Sequence, residues 1–158
     1  MSVLRRLGLL LDRLGGFIEE PEVARYATLP SGAQGFTIPD EAGGLPLSDR
    51  HFQDIEAPGL IARSLPVLLF NTRDGGTSRF SVRINSTPLV QHTLSGREPS
   101  PLSWHEVIPA GALKPEQNEL VFGVPAGGRV HFSDVVILYR SNKLTVRKSI
   151  LEPPIADA

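Results

Sequence analysis

Leu113-Lys114-Pro115-Glu116-Gln117-Asn118-Glu119-Leu120-Val121-Phe122, followed after a glycine-rich interval by the apolar run Val130 to Tyr139, is the stretch on which the fold of this chain turns. Pro115 and the Gln117-Asn118 pair are turn chemistry. Beyond them Leu120, Phe122 and Val124 fall on one face of an extended strand, because side chains alternate across a strand with period two. In Val135-Val136-Ile137-Leu138 both faces are apolar, which predicts a central strand covered on both sides. Ala126-Gly127-Gly128 between the two runs predicts a hairpin turn.

The same period extends towards the N-terminus. Val67 to Phe70 is a short apolar run, and Phe80, Val82 and Ile84 alternate with Arg79, Ser81 and Arg83. Asp74-Gly75-Gly76-Thr77 supplies a turn between these two segments. Leu144 to Arg147 offers a last alternating strand, and Pro153-Pro154 ends the order. Short strands punctuated by turn signals predict an all-β protein, an antiparallel β-sandwich rather than an α/β fold. Phe80, Val82, Ile84, Leu120, Phe122, Val136 and Leu138 are the expected core between its sheets.

Four segments carry a resemblance to a known family: Phe80-Ser81-Val82-Arg83-Ile84-Asn85, a strand leading into a short turn of asparagine and a small residue; Trp104-His105-Glu106-Val107-Ile108-Pro109; Leu113 to Leu120; and the closing strand Val130 to Tyr139. Together they resemble galactose-binding-like (jelly-roll) domains, including the accessory modules of polysaccharide lyases and glycoside hydrolases. The resemblance spans Leu65 to Ser149. It departs from the family at Gln117, where a glycine commonly precedes the asparagine. It implies a sandwich used for gripping ligands or partners, since one such scaffold hosts sugar binding, protein docking and plain support alike.

Upstream the chain changes character. Leu4, Leu7, Leu11 and Leu14 recur at spacings of three, four and three, which sets them on one stripe of a helix over residues 1–16, stopped by Gly15-Gly16. A helix of about 12 residues is marginal in water, so that stripe has to be buried, on its own domain or on a neighbour. Insertion at a membrane surface is disfavoured by the lack of an aromatic anchor. Residues 17–64 are rich in proline and glycine and read as an extended arm. Phe36-Thr37-Ile38 and Phe52-Gln53-Asp54-Ile55 within it are candidate edge strands. The expected organisation is therefore a helix over 1–16, an arm over 17–64, a sandwich over 65–150 and a disordered tail over 151–158.

Composition narrows the function classes. The chain has 158 residues, 41% hydrophobic and 21% charged, with a formal charge of −1. That length suits one domain with a sizeable core, and the balanced charge offers no general attraction to nucleic acid or anionic lipid. Arg5 and Arg6 precede an apolar run of only five residues, Leu7 to Leu11, before Asp12. A signal peptide needs an apolar core of roughly 7–15 residues, and no segment approaches the roughly 20 of a membrane span. With no cysteine present, disulfides and thiolate chemistry are excluded. A cytoplasmic setting is the expectation.

Chemistry-bearing motifs are sparse. His51, His92, His105 and His131 show no helical zinc spacing. Asp74, Glu106 and Asp134 are the conceivable oxygen ligands for calcium, but no metal or cofactor is expected. Simple alternation sets His131 and Ser133 on one face of their strand and Asp134 on the other. No nucleophile elbow, phosphate loop or dinucleotide fingerprint appears. Trp104 is the single tryptophan, either a core residue or, with His105, Glu106 and Arg83, a platform and polar frame for a sugar ring. The leading expectation is a non-catalytic structural or adaptor subunit that docks on protein neighbours, copies of itself or other chains, through its N-terminal helix, by way of Leu4, Leu7, Leu11 and Leu14, and through the extended arm. A carbohydrate-binding module is the alternative.

Overall fold

The computed structural model of the chain describes residues 22–29, 35–40 and 48–143. The expected helix over 1–16, the strand at Leu144–Arg147 and the tail over 151–158 lie outside the described residues. Within them the protein is all-β. Nine strands run in the order β1 (Val23–Thr28), β2 (Phe36–Ile38), β3 (Asp49–Ile55), β4 (Val67–Arg73), β5 (Arg79–Ile84), β6 (Thr87–Thr93), β7 (Leu102–Val107), β8 (Asn118–Gly123) and β9 (Val130–Ser141). They form two antiparallel sheets. One has the order β1-β9-β4-β7, with β2 also paired to β9, and the other has the order β3-β8-β5-β6.

Apolar residues at every second position account for this arrangement. Leu68 and Phe70 of β4 and Phe132, Val135 and Ile137 of β9 face Phe80, Val82, Ile84, Leu120 and Phe122 of the smaller sheet, all within one buried cluster. Phe122 sits at its centre, with ring centroids 4.9 Å from Phe132, 5.2 Å from Phe36 and 5.7 Å from Phe70. Such tilted and edge-on pairs suit the ring quadrupole and add to the area they bury.

The expected arm is, in its described parts, built into the sandwich. β1 and β2 edge the larger sheet and β3 edges the smaller one, and Phe36, Ile38 and Ile55 are buried in the common core. Both candidate edge strands are present, and their flanking prolines fit the edge position, where one row of backbone groups stays unpaired.

Two turn signals act differently from the expectation. Ala126-Gly127-Gly128 does not close a hairpin, because β8 lies in one sheet and β9 in the other. Asp74-Gly75-Gly76-Thr77 likewise turns the chain from β4 in the larger sheet to β5 in the smaller one. Both strands of each connection bury one apolar face, and placing them in opposite sheets brings those faces together. The hairpin between neighbours is β5-β6, at Asn85-Ser86, where Asn85 has φ 50°. Asparagine tolerates that left-handed conformation through its short polar side chain.

Strand β9 carries one extra residue at Asp134. Between the pairs Leu69↔Val136 and Asn71↔Ser133, β4 advances two residues while β9 moves three. Asp134 has φ 53° and its carboxylate accepts hydrogen bonds from Asn71 Nδ2 at 2.9 Å and Ser133 Oγ at 3.0 Å. The bulge reverses the alternation. Val130 and Phe132 point inward before it, Val135, Ile137 and Tyr139 after it, and Val136 and Leu138 point outward. The expectation that Val136 and Leu138 belong to the core is thus overturned. So is the separation of Ser133 from Asp134, which now bond to each other.

The turn before β8 is held by Asn118. Buried to 1% exposure, its side chain donates to Ile55 O at 2.9 Å and Lys114 O at 2.7 Å, and accepts from Lys114 N at 2.8 Å and Asn85 Nδ2 at 3.1 Å. Gln117 beside it has φ 56°, a conformation in which glycine is free of the Cβ penalty.

Two outcomes check this account. Replacing Asn118 by leucine leaves several backbone groups without partners, each worth about 1–3 kcal/mol when buried, so chemical denaturation should show a loss of at least about 2 kcal/mol. Ile137→Ala should cost about 2–5 kcal/mol as a core truncation, whereas Val136→Ala should stay under about 1 kcal/mol. Equal losses at the two positions would contradict the bulge-shifted register.

Candidate functional site

The sequence-derived sugar residues do not converge. Trp104 lies on the inward side of β7, its ring stacked at 11° on Phe70 with centroids 6.1 Å apart, and its indole N–H donates to Thr72 Oγ1 at 2.9 Å. His105 points to the opposite face of β7, while Arg83 is on β5 in the other sheet. Glu106 pairs across β4 with Leu68, on the inward side of the edge strand. The four histidines are equally dispersed. His51 Nδ1 meets Glu119 Oε1 at 2.5 Å, His92 packs against Trp104 at 4.8 Å, and His131 Nδ1 shares a 2.9 Å hydrogen bond with Thr37 Oγ1. Among the described residues no group of three or more His, Asp or Glu is placed to hold a metal ion.

Two regions remain, both involving the larger sheet. The first is an open polar depression of about 300 Å³ lined by Thr37, Arg73, Asp74, Arg129 and His131. Thr37, His131 and Arg73 form one cross-strand row over β2, β9 and β4. A smaller hollow of about 150 Å³ adjoins it across Arg73 and Asp74, walled by Leu94, Glu98 and Leu102. Gly75 allows this corner to close: a Cβ there would stand 2.1 Å from Leu94 Cδ1. In the same loop Glu98 Oε1 accepts the backbone N–H of Ser95 at 2.7 Å. That bond is the main reason its carboxyl is held down at about 2 from an ordinary 4.5.

The second region is the outer face of the larger sheet. Register places Tyr26, Leu138, Val67 and Val107 in one continuous row across β1, β9, β4 and β7. Thr28, Val136, Leu69 and His105 make the next row. Tyr26 is 68% exposed, Leu65 59%, Val107 57% and Leu138 41%. Tyr26, Leu138 and Val107 gather at one end of one face, where single scattered residues would need no explanation. The outer face of the smaller sheet is different, presenting Asp49, His51 and Gln53 of β3, Glu119 of β8 and Arg79, Ser81 and Arg83 of β5. The sequence marked β9 as apolar on both faces. It gave no sign of the row, because that depends on which strands lie beside β9 and in what register.

No family model matches the chain, and no curated protein matches it. Among solved structures the chain is similar to dimeric latent PorU from Porphyromonas gingivalis, at 10% identity and a TM-score of 0.48, over 76% of this chain and 13% of that one. The chain thus spans about an eighth of the length of that protein. No helix among the described residues is long and apolar enough to cross a membrane.

The Glu98 loop has a defined acid response. Because the folded carboxyl titrates below its unfolded value, the stability it lends is fully present above about pH 4.5 and is lost as pH falls towards 2, while in the folded protein the contact itself titrates at about pH 2. The Ser95 amide resonance should therefore titrate with a midpoint near pH 2, and Glu98→Gln should remove the titration. An amide shift that is flat from pH 5 to 2 would show that the carboxylate does not hold this loop.

Proposed function

We propose that the chain is a non-catalytic structural or adaptor subunit, a β-sandwich of the galactose-binding-like (jelly-roll) kind that joins a protein assembly by helix-on-sheet contact. The observation that carries this reading is the outward-facing row Tyr26–Leu138–Val67–Val107, in which Val67 is half-buried and the other three are exposed. Apolar area left in water is unfavourable by about 25 cal/mol per Å², so a face of this kind is stable when a partner covers it. The complementary element is the leucine stripe Leu4, Leu7, Leu11 and Leu14. One chain therefore carries both halves of a contact, and copies of it can associate head to tail or by exchanging the N-terminal segment. The Asn118 turn before β8 supports the jelly-roll type through the residues on which the resemblance rests.

Carbohydrate binding is the second reading. It is favoured by the polar depression, where Arg73, Asp74, Arg129 and Thr37 together offer the donors and acceptors that a polyhydroxyl ligand needs.

Sedimentation of the full chain tests the leading reading. The weight-average mass should rise with protein concentration, and Leu138→Lys or Val67→Lys should hold it at the monomer value with the melting temperature nearly unchanged. Association that survives both substitutions would remove this face from the assembly, and a glycan array showing selective binding lost in Arg73→Ala would favour the second reading.

A further inference from the structure

The polar end of the larger sheet carries charge that its own hydrogen bonds do not use. Arg73, Asp74 and Arg129, all exposed, line the depression of about 300 Å³ together with Thr37 and His131. Among the described residues the side chains of Arg73 and Asp74 meet no ion-pair partner. The hydrogen bond between Thr37 Oγ1 and His131 Nδ1 fixes the imidazole beside them, and Gly35 leaves room for that ring, since a Cβ there would stand 2.7 Å from His131 Nε2.

Backbone geometry holds the charged groups in place. Arg73 is the last residue of β4, and Asp74 after it takes φ 51°, a left-handed conformation that aspartate tolerates better than most residues with a side chain. Arg129 is anchored to the loop between β4 and β5: its N–H donates to Ser78 Oγ at 2.9 Å, and its carbonyl accepts from the same hydroxyl at 3.2 Å. The two loops that cross between the sheets are thereby tied together at the depression.

The charges select the ligand. Two guanidiniums face one carboxylate, an excess of one positive charge. A group with a single negative charge balances that excess, whereas a doubly charged phosphate overshoots it and is repelled by Asp74. A guanidinium presents its N–H donors in a planar fork that matches a carboxylate. The carboxylate of Asp74 only accepts hydrogen bonds, so whatever lies beside it has to donate, as a hydroxyl does. Across Arg73 and Asp74 the smaller hollow is walled by Glu98, Leu94 and Leu102. A second carboxylate on that side turns the negative end of a ligand towards Arg129. A volume of about 300 Å³ is at the lower end of the range of small-molecule sites.

We propose that this depression binds a uronic acid, with Arg73 and Arg129 on the sugar carboxylate and Asp74 on a ring hydroxyl. The proposal rests on the second reading above, carbohydrate binding at this site, and names the class of sugar. It does not involve the apolar row at the other end of the same face, so a protein partner there and an acidic sugar here do not compete.

Amide spectra of the full nitrogen-15-labelled chain test it, by titration at neutral pH and low salt with glucuronate, galacturonate, glucose, galactose and inorganic phosphate. At least one uronate should give saturable shifts centred on residues 73–76 and 129–131, with an affinity about tenfold above its neutral counterpart, as one charge-assisted contact provides. Added salt should weaken it, because the charges are open to solvent. Arg73→Ala and Arg129→Ala should each lower the affinity by about the same factor. Arg79→Ala, which removes one positive charge from the outer face of the other sheet, should leave it unchanged. Unaltered amide positions away from the depression confirm that each variant is folded. Phosphate bound as tightly as either uronate, or an equal loss in Arg79→Ala, would overturn the proposal by reducing the site to general charge attraction. Glucose or galactose bound as tightly as its uronate would also overturn it, while leaving carbohydrate binding in place. No saturable shift at these residues with any of the five would reject both.

Discussion

Strand β9 is hydrogen-bonded on both sides, to β1 and β2 along one edge and to β4 along the other, and at Asp134 it contains one residue more than its neighbour can match. A strand paired on both flanks cannot slip, so the surplus is absorbed by a left-handed residue whose carboxylate is tied to Asn71 and Ser133. Much of the molecule's surface chemistry follows. Val135, Ile137 and Tyr139 complete the core, and Val136 and Leu138 are turned to the outside. On the opposite flank, β1 and β2 share one lane along β9, interrupted between Thr28↔Val136 and Phe36↔Phe132, beside the bulge.

The outer face of the larger sheet is consequently divided by chemistry. Beyond the bulge the apolar row Tyr26, Leu138, Val67 and Val107 lies between Arg140 on one side and Thr28 and His105 on the other. Before it the row Thr37–His131–Arg73 is polar and opens on the depression shared with Asp74 and Arg129. Between them Ser103 donates to Asn71, which donates to Asp134. A covering element therefore has reason to sit at one end only, the end at which β1 enters the sheet opposite Ser141.

Asn118 plays a comparable part in the smaller sheet. It links the turn before β8 to the end of β3 and to the β5-β6 hairpin through a single buried amide. The Asn85 side chain extends the link to Ala112 O at 2.7 Å and to the Glu119 N–H at 3.0 Å. Three separate pieces of chain are thereby held at one end of the sandwich. The loss of a satisfied buried amide is costly because its partners are left dry.

Periodicity alone was sufficient for the class of fold and most of the core. Phe80, Val82, Ile84, Leu120 and Phe122 alternate cleanly and are all buried. The Asn85 turn and the edge strands at Phe36 and Phe52 were also legible, since asparagine and proline act within a few residues of themselves. Trp104 was ambiguous from sequence, and its packing on Phe70 is a tertiary matter. The sheet changes at Gly75-Gly76 and Gly127-Gly128 were not legible, because a turn signal reports that the chain bends and not which sheet it enters. Nor was the reversal at Asp134: an extra residue in one strand is defined against the residue count of its partner, and β4 lies more than fifty positions away in the chain. The exposed row required both. Its four members come from four strands, and only cross-strand register could bring them onto one face.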